Sequence, residues 1–169
     1  MGWYNSDSLY VKFGKEEATP GKVATYRTAG PVQVAEIFLD ETALLALSAT
    51  AGATILDYNT VIPKNARIEK VEVITQKATT SGGAAVLNIG LVRTDTTTEL
   101  DFDGLVAAIP KGSTDAAGET TALTVGATYA GALIGTVLAN NGYVVADYDT
   151  AAYTAGELRI RVHYVRDVA

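Results

Sequence analysis

The chain has 169 residues, 48% of them hydrophobic and 19% charged, which suits a single globular domain with its own core. It contains no cysteine, so disulfide bonds and thiol chemistry are excluded. The formal net charge of -6 argues against a nucleic-acid partner, because binding to phosphates requires clustered Lys and Arg. The most apolar run, residues 130–139, is too short to span a bilayer, and the first residues lack a secretory signal pattern, so we expect no membrane partner.

Residues 1–31 predict an N-terminal arm that precedes a sandwich domain at 32–169. The arm combines Gly and Pro with many aromatic residues, and it alternates apolar and polar residues only over 9–13. Aromatic side chains anchor protein interfaces and also cover the ends of cores. The sequence leaves both roles open.

The next elements are a strand, a short helical turn and a return to strand. Residues 32–39 alternate as a strand does, and Asp40 or Thr42 then offers an N-cap for one helical turn that contains Leu44, Leu45 and Leu47. Residues 53–62 return to strand. The many Thr, Val and Tyr residues favour sheet throughout.

Two alternating runs at 68–75 and 84–92 flank a turn-forming segment at 79–83. This arrangement predicts an antiparallel hairpin of a β-sandwich. Six apolar residues of the two runs are the expected core, namely Ile68, Val71, Val73, Leu87, Ile89 and Leu91.

Beyond the hairpin, residues 104–110 predict a short helical insertion that Pro110 stops. Residues 111–121 predict a long loop that is a candidate contact or mobile loop. Asn-Gly at 141–142 lies between apolar runs at 132–138 and 143–148 and predicts a second hairpin. Residues 157–165 alternate as a last strand with one wet face.

Few residues predict chemistry. His163 is the only histidine, and we interpret it as a solvated strand residue rather than a catalytic base. Asp101 and Asp103 in the acidic run at 95–103 are weak candidates for a cation site, since a complete calcium-loop pattern is missing. Asp147 and Asp149 raise the same question and could imitate glycosidase carboxylates. With no nucleophile, zinc or phosphate-loop motif, we predict no enzyme and no cofactor.

Scattered motifs resemble structural proteins of tailed-bacteriophage virions. The segments that carry the resemblance are Val-Ile-Pro-Lys-Asn-Ala-Arg-Ile at 61–68, Val-Glu-Val at 71–73, Ser-Gly-Gly at 81–83, Ser-Leu-Tyr-Val-Lys-Phe-Gly at 8–14 and Thr-Ala-Gly-Glu-Leu-Arg-Ile-Arg-Val at 154–162. The resemblance implies an all-β fold, an antiparallel and jelly-roll-like β-sandwich with an extended N-terminal arm and a short helical insertion. Within that group the chain looks like a capsid decoration, or cement, protein.

The resemblance also implies partners and a location. It suggests a homotrimer that binds the major capsid protein on the capsid exterior of the virion and is assembled in the host cytoplasm. We expect the arm to supply the contacts, with the candidate residues Trp3, Tyr4, Tyr10, Lys12, Phe13 and Lys15. The alternatives are a host-surface or glycan-binding sandwich and a tail or head-tail connector component.

Overall fold

The computed structural model describes the backbone of residues 2–4 and 10–12. It describes both the backbone and the side chains of residues 32–52 and 54–166. Within these residues no helix has the length and apolar character that a membrane crossing requires. The elements in chain order are β1 (Gly2–Tyr4), β2 (Tyr10–Lys12), β3 (Val32–Leu39), α1 (Glu41–Leu45), β4 (Thr54–Ile55), β5 (Val61–Ile62), β6 (Ala66–Ser81), β7 (Val86–Arg93), β8 (Glu99–Pro110), a 3₁₀ turn (Lys111–Ser113), β9 (Thr120–Leu123), β10 (Gly142–Asp149) and β11 (Tyr153–Arg166).

Two antiparallel sheets form a sandwich, which confirms the predicted all-β class. Sheet 1 has the strand order β3-β11-β6-β9. Sheet 2 has the order β4-β10-β7-β8, and β5 pairs with the same side of β10 as β4. β1 and β2 form a separate two-stranded sheet. The division between arm and domain at residue 32 and the likeness to a jelly roll stay predictions.

The core lies between the two sheets. β11 alternates as predicted, with Leu158, Ile160 and Val162 fully buried. The six expected core residues are all at most 1% exposed, which confirms their role. Burying one such side chain contributes on the order of 2 kcal/mol.

A bulge in β6 explains why two of these core residues, Ile68 and Val71, are three positions apart. Tyr164 of β11 pairs with Ile68 and His163 pairs with Lys70, so Glu69 is the extra residue. One inserted residue reverses the alternation, and both apolar side chains therefore point inward.

The predicted hairpin across residues 79–83 is wrong. β6 pairs with β11 and β9, whereas β7 pairs with β10 and β8 in the other sheet. The turn carries the chain across the sandwich instead of joining two neighbours. An apolar stripe is buried equally well by a neighbour beside it or by a strand across the core, so alternation alone could not distinguish the two.

The predicted helix at 104–110 is also wrong, because these residues belong to β8. Leu105, Val106 and Ile109 are fully buried, and their spacing imitates one face of a helix. Register shifts between β7 and β8 produce that spacing, and Ala108 adopts a positive φ of 60° within the irregular stretch. Pro110 lies at the end of the strand, where a missing N–H is tolerated.

The predicted second hairpin is wrong in its first strand. Residues 143–148 lie in β10, but 132–138 form turns whose only ladder contact is an isolated bridge from Val137 to Arg67. Backbone hydrogen bonds join this segment to β8 and β6 instead, from Leu133 N to Gly104 O at 2.8 Å and from Gly135 N to Ile68 O at 2.7 Å. The 132–138 segment therefore lies along the edges of β8 and β6, and it does not form a hairpin with β10.

The helical turn after residue 40 is confirmed as α1, although it ends at Leu45 and does not include Leu47. Asp40 caps it, because its carboxylate accepts the Ala43 N–H at 2.8 Å. Leu44 is buried against the core and Leu45 is exposed. The expected strand at 53–62 is confirmed in part, since it is divided into the two short strands β4 and β5.

Candidate assembly surfaces

Sheet 1 presents a mixed charged and apolar surface to solvent. We define the outer face of sheet 1 as the side chains of β3, β6 and β11 that point away from sheet 2. Its members are Val32, Val34, Glu36, Phe38, Lys70, Glu72, Ile74, Arg159, Arg161 and His163.

Cross-strand ion pairs organise the outer face of sheet 1. Arg161 stands between Glu36 and Glu72 in the strand register. Its Nε donates to Glu36 Oε2 at 2.6 Å, and Arg159 Nη1 lies 3.5 Å from the other oxygen of the same carboxylate. Exposed pairs of this kind contribute about 0–1 kcal/mol each, so they orient the side chains more than they stabilise the fold.

Glu72 forms a second charged group with Lys70 and His163. Lys70 Nζ lies 2.6 Å from Glu72 Oε1, and His163 Nε2 lies 3.0 Å from Oε2. The hydrogen bond from Lys70 lowers the pKa of Glu72, His163 lowers it further, and partial burial opposes both. His163 is thus a surface strand residue, as expected, and it is paired with a carboxylate.

Exposed apolar residues adjoin these charges. Phe38 is 53% exposed, and the strand register places it beside Arg159, with Ile74 on the other side of Arg159. Val32 on the same strand is 38% exposed. An exposed aromatic ring next to arginines is a composition typical of protein interfaces.

The free edge of β3 is the longest open edge of the sandwich within the described residues. β3 pairs with β11 over eight positions, and no other described strand pairs with it. At the far side of sheet 1, β9 has only four residues. In sheet 2, β4 and β5 have two residues each, and the 127–134 segment hydrogen-bonds to β8. Long open edges are ready templates for an additional strand.

The two sheets carry opposite charge. The strands of sheet 1 contain six Lys or Arg and four Asp or Glu. Those of sheet 2 contain one Arg and five Asp or Glu. The acidity of the chain is therefore concentrated in sheet 2, and sheet 1 is the surface better suited to an acidic partner.

The carboxylate of Asp147 is part of a structural network. Asp147 is 2% exposed, and its two oxygens accept from Gly52 N at 3.0 Å and Asn88 Nδ2 at 2.8 Å. Asn88 also donates to Asp149 at 2.8 Å and accepts the Ala108 N–H at 3.0 Å. These hydrogen bonds connect the 48–52 loop to β10, and they connect β7 with both β8 and β10. Asp147 and Asp149, which resembled a glycosidase pair, therefore both have structural partners.

The acidic side chains of residues 95–103 are not all brought together at one site. Asp95 accepts the Thr97 and Thr98 N–H groups in the turn between β7 and β8, and these bonds lower its pKa to about 2. Asp101 and Asp103 lie together further along β8, where burial and the neighbouring carboxyl of Asp103 raise the pKa of Asp101 to about 6. Among the described residues, no group of three or more potential ligands could hold a metal ion.

The Asp101 pair predicts a measurable pH dependence. The folded state holds a proton on Asp101 between pH about 4 and 6 that the unfolded chain has released, so the free energy of unfolding falls as the pH rises through this window. We expect Asp101→Asn to flatten this slope. The resulting change in the free energy of unfolding across the window should be less than about 1 kcal/mol, because the site is partly solvated.

Urea unfolding at a series of pH values measures the effect of Asp101→Asn. Asp95→Asn is the matched control, because its lowered pKa stabilises the fold above pH about 4 and that contribution is lost toward pH 2. An unchanged slope between pH 4 and 6 in Asp101→Asn would contradict the assignment.

The arm residues are described in part. Trp3, Tyr4, Tyr10 and Lys12 lie on β1 and β2, with Trp3 opposite Val11 and Tyr4 opposite Tyr10 in the backbone register. Phe13 and Lys15 lie outside the described residues. The contact role of all six stays a prediction.

The outer face of sheet 1 was not predicted from the sequence. Phe38 could have been found, because it occupies an outward position in the alternation of 32–39, where a soluble strand usually carries a polar residue. The pairing of Glu36 with Arg159 and Arg161 required the order of strands, which joins residues more than 120 positions apart.

Comparisons with known proteins find the same fold in phage capsids. No protein-family model matches the chain, and no curated protein does. A chain of the cyanophage Pam1 capsid asymmetric unit is 20% identical, with a TM-score of 0.50 over 89% of this chain and 99% of that one. A chain of the capsid of Ralstonia phage GP4 is 17% identical, with a TM-score of 0.50 over 83% and 87%. A chain from the acidic stable capsid of Helicobacter pylori bacteriophage KHP30 is 14% identical, with a TM-score of 0.49 over 80% and 88%. At these identities the likeness to the Pam1 and GP4 chains shows a common fold alone.

Proposed function

We propose that this protein is a capsid decoration, or cement, protein of a tailed phage. The observation that carries the proposal is the common fold with the Pam1 and GP4 capsid chains, which extends over 89% and 83% of this chain, respectively. In this proposal the partner is the major capsid protein, the location is the exterior of the virion capsid, and assembly takes place in the host cytoplasm. The role is structural and non-catalytic.

The opposite charge of the two sheets supports an orientation. Sheet 1 combines the more basic strands with exposed Phe38 and the open edge of β3, so it faces the assembly partners. The acidic sheet 2 then faces solvent. The N-terminal arm, with Trp3, Tyr4, Tyr10, Lys12, Phe13 and Lys15, reaches from the sandwich to those partners.

Adhesion in several copies is the proposed mechanism. A homotrimer presents three identical surfaces to a repeating shell, so that each contact after the first is intramolecular. Such multivalency raises the affinity by roughly 10² to 10⁴ without any new type of contact. Contacts that are individually weak, like those between partly exposed charges, then suffice to hold the shell together against internal pressure.

Co-sedimentation tests this function. Purified protein is mixed with capsids of its phage that lack it, and the bound fraction is measured against protein concentration. We expect saturable binding at a fixed number of copies per capsid and a native mass of three chains in solution. Absence of capsid binding together with glycan-array binding would replace the proposal by a host-surface sandwich. A native mass of six or twelve chains in a ring would replace it by a connector component.

A further inference from the structure

The open edge of β3 defines what an added strand must look like. Toward the core, β3 presents Ala35, Ile37 and Leu39, all at most 9% exposed. Toward solvent it presents Glu36 and Phe38. A strand added beside β3 must therefore be apolar at alternate positions on its inner side, with an aromatic residue and a cation between them on its outer side.

The sequence of β2 has that pattern. Apolar Val11 lies between aromatic Tyr10 and cationic Lys12. β2, which contains Tyr10–Lys12, is already extended and pairs on one side with β1, so its other side is available for pairing within the described residues.

One antiparallel register matches all three positions of β2. It places Tyr10 opposite Phe38, and Lys12 opposite Glu36 on the side of that carboxylate away from Arg161. On the inner side the same register places Val11 opposite Ile37. Aromatic and opposite-charge cross-strand pairs contribute favourably.

We propose that β2 of one copy adds antiparallel to the free edge of β3 in a neighbouring copy. Nineteen residues separate Lys12 from Val32. Antiparallel neighbours within one chain are usually joined by two to five residues, whereas nineteen extended residues span up to about 65 Å, enough to reach another copy. An exchange that runs from each copy to the next is heterologous, and it forms a ring when the rotation between copies closes.

This inference rests on the homo-oligomer of the proposed function and specifies its interface. It also explains how the arm contributes to capsid binding. The arm joins the copies, and the joined copies bind the shell with high avidity.

Cysteine cross-linking tests the register, because the chain has no cysteine of its own. Directly opposed positions of antiparallel strands have Cα atoms about 4.5–5.5 Å apart, within the range of a disulfide. The double variant Tyr10→Cys/Phe38→Cys is oxidised and run on a non-reducing gel. We expect a ladder of covalent oligomers that ends at the native number of chains.

The control variant is Tyr10→Cys/Tyr58→Cys, because Tyr58 is 63% exposed but lies beside sheet 2, where it contacts Tyr143. It should give no defined ladder. A Tyr10→Cys/Phe38→Cys chain that closes its disulfide within a single monomer would overturn the exchange between copies. No cross-link in a protein whose native mass is oligomeric would overturn β3 as the receiving edge and leave the oligomer standing. A monomeric native mass would overturn the exchange and the proposed trimer together.

A charge reversal provides a second readout. Lys12→Glu places two carboxylates opposite each other in the proposed register, and we expect the oligomer to dissociate at about five-fold higher concentration. Lys64→Glu, in the turn before β6, makes the same change of net charge away from β3 and should leave dissociation unchanged. Equal effects of the two substitutions would contradict the pairing of Lys12 with Glu36.

Discussion

A chain that lacks residues 1–14 is expected to remain folded, with a cooperative unfolding transition, and to lose at least about 100-fold in apparent capsid affinity. The fold is retained because the two sheets and their core lie within residues 32–166. The affinity falls because the truncated chain cannot join other copies, and each sandwich then binds the shell through its own contacts alone. Thermal unfolding followed by circular dichroism and a co-sedimentation titration measure the two quantities.

The matched control replaces residues 1–14 with a Gly-Ser segment of equal length. It retains the length of the chain and removes the side chains, so it should behave like the truncation. Wild-type capsid binding by the truncated chain would refute a role for the arm. Oligomers that persist after truncation, with capsid binding lost, would assign the arm to the capsid contact directly and not to the contact between copies.

Gly90→Ala is expected to lower the free energy of unfolding by about 3 kcal/mol, or the midpoint of thermal unfolding by about 10 °C. β8 crosses closely over Gly90 at this point of sheet 2. A Cβ on residue 90 would lie 2.1 Å from the backbone oxygen of Asp101 and 2.2 Å from the backbone carbon of Phe102. Both are backbone atoms, so relief requires a shift of β8, which the network around Asn88 and Asp147 opposes.

Gly112→Ala is the matched control for Gly90→Ala. A Cβ at position 112 meets no atom within 4 Å, and the backbone there does not require glycine. We expect a change within about 0.5 kcal/mol. Equilibrium urea unfolding of both variants measures the difference, and equal stabilities would show that β8 yields easily and that Gly90 is not a packing constraint.

The alternation of apolar residues predicted most of the strands and the core. In β11 the pattern of Leu158, Ile160 and Val162 identified the buried side correctly, because a strand that is buried on one face must repeat every two residues. The capped turn at Asp40 was predicted for an equally local reason. Such features depend on residues a few positions apart.

Two of the errors concern which strand lies beside which, and the third concerns the type of element. The turn at 79–83 was recognised, but it crosses between sheets, and β8 imitated a helix because its bulges displaced Leu105, Val106 and Ile109 from strict alternation. Asn-Gly at 141–142 was assigned to a hairpin turn, although Asn141 accepts the Lys64 N–H and the segment before it pairs with β6 and β8. In each case the local sequence is compatible with more than one neighbouring strand or segment.

The candidate site was likewise predictable from the sequence only in part. The arm was predicted from its aromatic residues and its alternation at 9–13, which are properties of the sequence itself. The free edge of β3, the ion pairs of Glu36 with Arg159 and Arg161, and the opposite charge of the two sheets exist only once β3 lies beside β11.

The sequence by itself determined that this is a cysteine-free, acidic, all-β chain with six identifiable core residues, because composition and periodicity govern burial directly. The tertiary structure alone decided which strands pair, which edge stays open and where the charges gather. Those properties arise from contacts between residues far apart in the chain, and no local preference encodes them.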